Sequence, residues 1–164
     1  MAGREDWYRN TFWNPEIEAA FFEKLRRARD KSQYLRIQAC ILAESRPDVA
    51  LRLLDQYFGC ERQWEAAQAH NDRATAYLAQ GELENALLSL ESALSVERAR
   101  PNSLTQAYLD FSCLVAVRRL VGRYDRAMQV LDDARDRPAF PVERYRWNGA
   151  RALILHEQGD RSEA

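Results

Sequence analysis

The sequence is organised around a glycine turn between two helical stretches, which occupy residues 77–94. Gly81 can adopt a positive φ angle without steric cost, so it ends one helix and lets the next fold back. Ala86 follows five residues later, where a small side chain lets two helix backbones approach closely. Leu90 and Ala93 lie on the same face of the second helix as Ala86. The stretch therefore predicts an antiparallel helical hairpin.

The hairpin pattern recurs along the chain. The candidate small residues, at intervals of 36, 41 and 37 residues, are Ala50, Ala86, Ala127 and Ala164. The candidate turn residues, five positions before each of them, are Ser45, Gly81, Gly122 and Gly159. Repetition at such a period is typical of stacked helical units.

The copy in residues 67–98 resembles the tetratricopeptide repeat (TPR), a helix pair of about 34 residues. The residues that carry the resemblance, in the family's order of small, aromatic, glycine, alanine, bulky and alanine, are Ala74, Tyr77, Gly81, Ala86, Leu90 and Ala93. The other copies depart from it, because Gln38 stands in the place of Ala74 and Arg118 in that of Tyr77. The resemblance implies an all-α fold: a right-handed α-solenoid of about four TPR-like helix hairpins with an N-terminal capping helix. The alternative is an irregular all-α bundle with coincidental spacing.

One continuous domain is expected. Residues 1–31 form an N-terminal aromatic segment and a capping helix, for which Asn14 is the predicted N-cap and Pro15 the first residue. The TPR-like repeats take up residues 32–164, with helices predicted over 32–44, 47–58, 61–80, 82–98, 103–121, 123–136 and 142–158. The last repeat is incomplete. We therefore expect either a shortened form of a longer protein or a homodimer through the open C-terminal end, which would cover Ala152 and Leu155.

The aromatic segment contains Trp7, Tyr8, Phe12 and Trp13 within a short non-periodic stretch. Two interpretations are open. The segment covers the apolar end of the first hairpin, as terminal repeats require, or it is an exposed hook that binds a partner.

Composition argues against several classes of partner. A net charge of −1 does not favour bulk attraction to nucleic acid or to a membrane. No apolar run reaches transmembrane length, and the first residues lack an apolar signal core. Cys40, Cys60 and Cys113 indicate neither a disulfide framework nor a zinc site, and Cys40 and Cys113 are expected to be buried reduced thiols. A cytoplasmic protein is predicted.

In a solenoid of this kind the first helix of each hairpin lines the concave side. The predicted lining residues are Ser32, Leu35, Ala39 and Leu42, then Gln68, Asn71, Thr75 and Leu78, then Leu109, Ser112, Ala116 and Arg119, and finally Arg146, Gly149, Leu153 and His156. The predicted partner-binding residues among them are Asn71, Thr75, Ser112, Arg119, Arg146 and His156. Such a surface suits an amphipathic helix or an extended peptide.

The predicted function is a non-catalytic protein–protein interaction module, either an adaptor or a protein that inhibits its partner, with a protein or peptide bound in the concave groove. The alternative is a ligand- or peptide-sensing regulatory domain of a longer polypeptide. No enzyme activity, metal or cofactor is predicted. His70 and His156 lack the spacing of a helical metal pair, Cys60 has no nearby histidine in the sequence, and His70 is expected to lie between helices.

Overall fold

The computed structural model describes residues 6–159, and this part of the chain is helical with no strand. The eight α-helices within it are α1 (Pro15–Arg27), α2 (Lys31–Leu42), α3 (Pro47–Phe58), α4 (Ala66–Ala79), α5 (Leu83–Ala99), α6 (Ala107–Val117), α7 (Tyr124–Asp133) and α8 (Pro141–Gln158). The all-α prediction is confirmed. The predicted incomplete repeat falls largely on residues 160–164, which lie outside the described residues.

The chain divides into two compact units, with the division between Leu104 and Thr105. Helices α1–α5 belong to the first unit, where α2 packs on α3, α3 on α4, and α4 on α5. Helices α6–α8 belong to the second unit, where α6 packs on both α7 and α8. Consecutive helices therefore pack against each other within each unit.

The hairpin of α4 and α5 has the turn that the sequence predicts. Gly81 has a φ angle of 77°. The Glu82 amide donates to the Tyr77 carbonyl at 2.9 Å, which closes the end of α4. Ala86 then lies fully buried in the first turn of α5. The prediction of a glycine turn at Gly81 is confirmed.

The N-terminal aromatic segment covers the first hairpin. The Trp7 ring lies 5.4 Å from the Phe21 ring and 4.9 Å from the Tyr34 ring, measured between centroids. Trp13 is buried in the same cluster. The capping interpretation is confirmed for these side chains, and the hook interpretation is wrong for Trp13. Phe12 is different, because it is 78% exposed.

Gln38, which departs from the repeat pattern, is fully buried because it holds this segment. Its Oε1 accepts a hydrogen bond from the Asn10 amide at 2.9 Å, and its Nε2 donates to the Asn10 carbonyl at 2.7 Å. The backbone amide and the backbone carbonyl of Asn10 are thus both hydrogen-bonded by one buried side chain. A small residue at position 38 would leave them without these partners.

The second unit turns at a different residue from the one predicted. Arg119, not Gly122, has the left-handed backbone, with a φ angle of 53°. The Leu120 amide donates to the Val115 carbonyl at 3.0 Å, as in a glycine-ended helix. Gly122 lies in a short 3₁₀ turn that follows. Helix α6 therefore ends at Val117, before the predicted end at residue 121.

Two predicted helix starts are also wrong, for a local reason in each case. Helix α4 starts at Ala66 and not at residue 61, because the Gln63 side chain donates to the carbonyls of Phe58 and Cys60 and holds a turn. Helix α6 starts at Ala107 and not at residue 103, after the Thr105 hydroxyl accepts the Ala107 amide hydrogen.

The expectation that α8 exposes Ala152 and Leu155 needs correction. Leu155 is buried, and Ala152 is half-buried. The second unit thus covers most of this face with its own helices, since α8 packs on α6 and α7.

We expect Ala86→Leu to lower the free energy of unfolding by about 1–3 kcal/mol, because three extra carbon atoms must enter a packed core. Urea denaturation measures this change. Asn85→Leu is the matched control, since Asn85 is exposed on the same helix turn. Equal stability of the two variants would show that the hairpin leaves room at position 86.

We expect Arg119→Gly to raise the free energy of unfolding by roughly 1 kcal/mol, because glycine removes the strain of a side chain at positive φ. Arg118→Gly should lower the free energy of unfolding. Arg118 has a φ angle of −85°, so glycine relieves no strain there and only makes the unfolded chain more flexible. Thermal denaturation compares the two. A loss of stability in Arg119→Gly would contradict the strained turn.

Candidate partner-binding face

Helices α6 and α8 lie side by side in the second unit and are joined by an ion pair. The Arg146 Nη2 atom donates to Asp110 Oδ1 at 2.6 Å, and both side chains are about one-third exposed. A second bond joins Gln106, the N-cap of α6, to Glu143 of α8 at 2.7 Å, and both residues precede the ion pair by about one turn. The order of these contacts shows that the two helices run in the same direction.

On each helix, the residues one and two turns after the ion pair lie in one row with it. We call these two rows together the α6–α8 face. The residues are Asp110, Cys113 and Val117 on α6, and Arg146, Gly149 and Leu153 on α8. Val117 lies seven residues, or about two turns, after Asp110 on α6, and Leu153 lies seven residues after Arg146 on α8. Both side chains are therefore on the same side of their helices as the ion pair. Val117 is 69% exposed and Leu153 is 47% exposed.

The middle of the α6–α8 face carries a glycine. Gly149 has no side chain, and a Cβ atom added there would have no heavy atom within 4 Å. The Cys113 thiol lies nearby, with its Sγ 3.7 Å from the Arg146 carbonyl oxygen, to which it donates. The face therefore has an ion pair at one end, an open position at Gly149 in the middle and two exposed apolar side chains at the other.

The structure separates the four predicted site residues of this unit. Ser112 is fully buried and its hydroxyl donates to the Ala127 carbonyl at 3.3 Å, so its predicted place in an open groove is wrong. Arg146 lies on the α6–α8 face. Arg119 and His156 are exposed near its apolar end, where Arg119 pairs with Glu157 at 3.3 Å.

The other two predicted site residues, Asn71 and Thr75, belong to the first unit. They are half-buried on one face of α4, and the Thr75 hydroxyl donates to the Asn71 carbonyl at 3.3 Å. That bond satisfies the hydroxyl within its own helix.

Most of the positions on α2 and α6 that were predicted to line a groove are buried, and only Arg119 is exposed as expected. The predicted positions that the structure buries are Ser32, Leu35, Ala39, Leu42, Leu109, Ser112 and Ala116. The accessible positions come one residue later, at Gln33, Cys40, Asp110, Cys113 and Val117. One residue rotates the side chain by about 100°, and helices that pack against several neighbours bury a wider face than the turn spacing indicates.

The first unit has an analogous ion pair between α2 and α4. The Arg36 Nη1 atom donates to Asp72 Oδ2 at 3.2 Å, and Gln68 donates to the other Asp72 oxygen at 2.8 Å. Burial raises the pKa of the Asp72 carboxyl, while Gln68 and Arg36 oppose that shift. Arg36 and Asp72 are 36 residues apart, as are Asp110 and Arg146. The same interval separates Ala50 from Ala86. A search for oppositely charged residues 36 positions apart would therefore have predicted both ion pairs from the sequence.

The cysteine thiols are poorly suited to nucleophilic chemistry. Partial burial and the nearby Asp72 carboxylate raise the pKa of Cys40 to about 11. Burial also raises the pKa values of Cys60 and Cys113. The thiolate, which is the reactive form, is therefore scarce at neutral pH. Cys40 is exposed, which corrects the expectation that it is buried.

The described residues contain no group of three or more His, Cys, Asp or Glu side chains placed to hold a metal ion. Within the same residues, no helix is both long and apolar enough to cross a membrane. The predicted cytoplasmic localisation stays a prediction.

Comparison with known proteins adds no relative. No protein-family model matches the chain, and it matches neither a curated protein nor a solved structure.

His70 packs between α3 and α4, with its ring 4.4 Å from the Phe58 ring. Burial and the nearby Arg73 charge lower the pKa of His70 to about 4. Because this value lies below the ordinary value of 6.5, protons bind more tightly to the unfolded chain. The contribution of neutral His70 to the free energy of unfolding is therefore full above about pH 6.5, and it decreases as the pH drops toward 4.

We expect the urea midpoint to decrease between pH 7 and pH 5, and His70→Gln to make that decrease smaller. His156→Gln is the matched control, because His156 is exposed and its loss should leave the decrease unchanged. An unaltered pH dependence in His70→Gln would contradict the assignment.

Proposed function

We propose that this chain is a TPR-like helical-repeat protein, a right-handed α-solenoid without catalytic activity, and that it binds a peptide or helix of a partner protein on the α6–α8 face. The observation that carries the proposal is the exposed apolar pair of Val117 and Leu153 beside the open position at Gly149. Exposed apolar side chains next to a small residue between two helices suit the apolar face of a bound peptide or helix.

The spacing of the ion pairs supports the repeat architecture. Arg36 with Asp72 and Asp110 with Arg146 each join two helices at the same interval of 36 residues. In each unit the pair links the first helix of a hairpin to the helix that begins after it. A regular repeat brings equivalent positions of successive units together in this way.

The chemistry of the α6–α8 face indicates what the partner presents. An apolar side chain over Gly149 would bury itself against Val117 and Leu153, and removal of apolar surface from water favours such a complex. Arg146 lies at the polar end, where its remaining N–H groups can bind a carbonyl or a carboxylate of the partner. The expected ligand is thus a peptide with one anchoring apolar residue and an acceptor about one helical turn away.

The proposal is tested by filling the open position at Gly149. Gly149→Leu places a branched side chain where the partner's anchor would lie, while the open space around Gly149 lets the helix accept it. We expect peptides selected from a displayed random library on the wild-type chain to bind Gly149→Leu at least tenfold more weakly. Fluorescence anisotropy of the selected peptides measures the affinities.

Gln129→Leu is the matched control, because it adds a leucine to an exposed position on α7. It should leave the affinity unchanged. Arg146→Glu is a poor probe, since it would place two carboxylates together at Asp110 and disturb the helix pair. Failure to select any peptide, or selected peptides that bind Gly149→Leu normally, would overturn the proposed site.

A further inference from the structure

A second cleft lies in the first unit, between the start of α2 and the segment that precedes α4. Its volume is about 180 Å³. The lining residues are Asp30, Ser32, Gln33, Tyr57, Trp64 and Glu65. We call it the Trp64 cleft. No lysine or arginine is among the lining residues, and two of them carry a carboxylate.

Each carboxylate keeps an oxygen for a ligand. Asp30 uses Oδ1 to accept hydrogen bonds from the Ser32 hydroxyl at 2.8 Å and the Gln33 amide at 3.3 Å. Glu65 uses Oε2 to accept from Arg36 Nε at 2.9 Å. These bonds hold both side chains in place, so their other oxygens are presented without further loss of side-chain freedom.

Among the residues that line the cleft, carboxylates are the only charged groups, and the nearby Arg100, which donates to the Gln63 carbonyl, is not one of them. Arg36 carries one positive charge and pairs with both Glu65 and Asp72. Its charge can balance only one of these carboxylates, and Asp30 adds another. Lys31 is exposed at the start of α2 and does not line the cleft.

Trp64 supplies a surface that suits a cation. Its side chain is 71% exposed, although indole is among the largest apolar groups of a protein. The face of an indole ring attracts ammonium and guanidinium groups, and nearby carboxylates attract the same cations. An exposed indole beside two carboxylates is therefore a complementary surface for a cation on an alkyl stem.

We propose that the Trp64 cleft binds a lysine or arginine side chain of a basic peptide. The alkyl stem packs along the indole, and the charged head lies between Asp30 and Glu65. The small volume admits one long side chain. This site lies in the first unit and is independent of the α6–α8 face, so either proposal can fail alone.

The test is a titration followed by NMR through the indole N–H signals, with the Trp64 signal assigned from Trp64→Phe. The probes are acetyl-Gly-Lys-Gly-amide and its arginine counterpart, and the control is the same peptide with an acetylated lysine. We expect a saturable shift of the Trp64 signal with both basic peptides, weaker at high salt, and none with the acetylated peptide.

Two variants separate charge recognition from structure. Asp30→Asn with Glu65→Gln removes both charges, yet asparagine still caps α2 and glutamine still accepts from Arg36. We expect at least a tenfold loss of affinity, whereas Glu61→Gln, an exposed carboxylate outside the lining, should bind normally. Trp64→Ala, at an exposed position, should also lose binding and keep its fold, as followed by chemical shifts of the other amides.

Three results would overturn the proposal. The first is an equal shift with the acetylated peptide, and the second is unchanged affinity of the double variant. The third is equal affinity for n-butylamine, which would assign the cleft to small amines and not to a peptide.

Discussion

Close packing at buried alanines is the constraint on which the rest of the structure depends. Ala50, Ala86 and Ala127 are all fully buried in the second helices of their hairpins. A larger side chain at these points would push the paired helices apart. Their positions therefore determine how the first helix of each hairpin is placed, and with it the surface that the first helix presents.

Polar side chains then determine how neighbouring segments are aligned, which the small residues do not specify. Gln38 secures the N-terminal segment by bonding both polar groups of Asn10. Arg36 and Asp72 align α2 with α4, as Asp110 and Arg146 align α6 with α8. Such pairs contribute little net stability where they are exposed. Their directional bonds define the register between neighbouring helices, which apolar packing alone specifies weakly.

The two proposed binding surfaces differ in chemistry because they are built differently. The α6–α8 face lies between two helices that run in the same direction, so its ion pair and its exposed apolar side chains follow one another along the helices. The Trp64 cleft lies where the Asp30 cap of α2 meets the segment before α4, so it is small and rich in acceptors. Segments between helices carry more polar side chains than helix faces, and this favours recognition of a charged group.

The sequence by itself determined the helical content, the turn at Gly81, the N-cap at Asn14 and the buried alanines. Each of these depends on local conformational preference or on spacing within one hairpin. The α8 positions Arg146, Gly149 and Leu153 were also named from the sequence. Their α6 neighbours Asp110 and Val117 were not, because the positions predicted to line a groove on α6 come one residue earlier.

Only the tertiary structure decided which face of α2 and α6 stays accessible, that Arg119 and not Gly122 turns the chain, and that Trp64 lies beside Asp30 and Glu65. The reason is physical. A one-residue change rotates a helix face by about 100°, and the rotation is set by every neighbour that packs on the helix. Those neighbours are distant in sequence, so the spacing of residues within one helix does not predict the rotation.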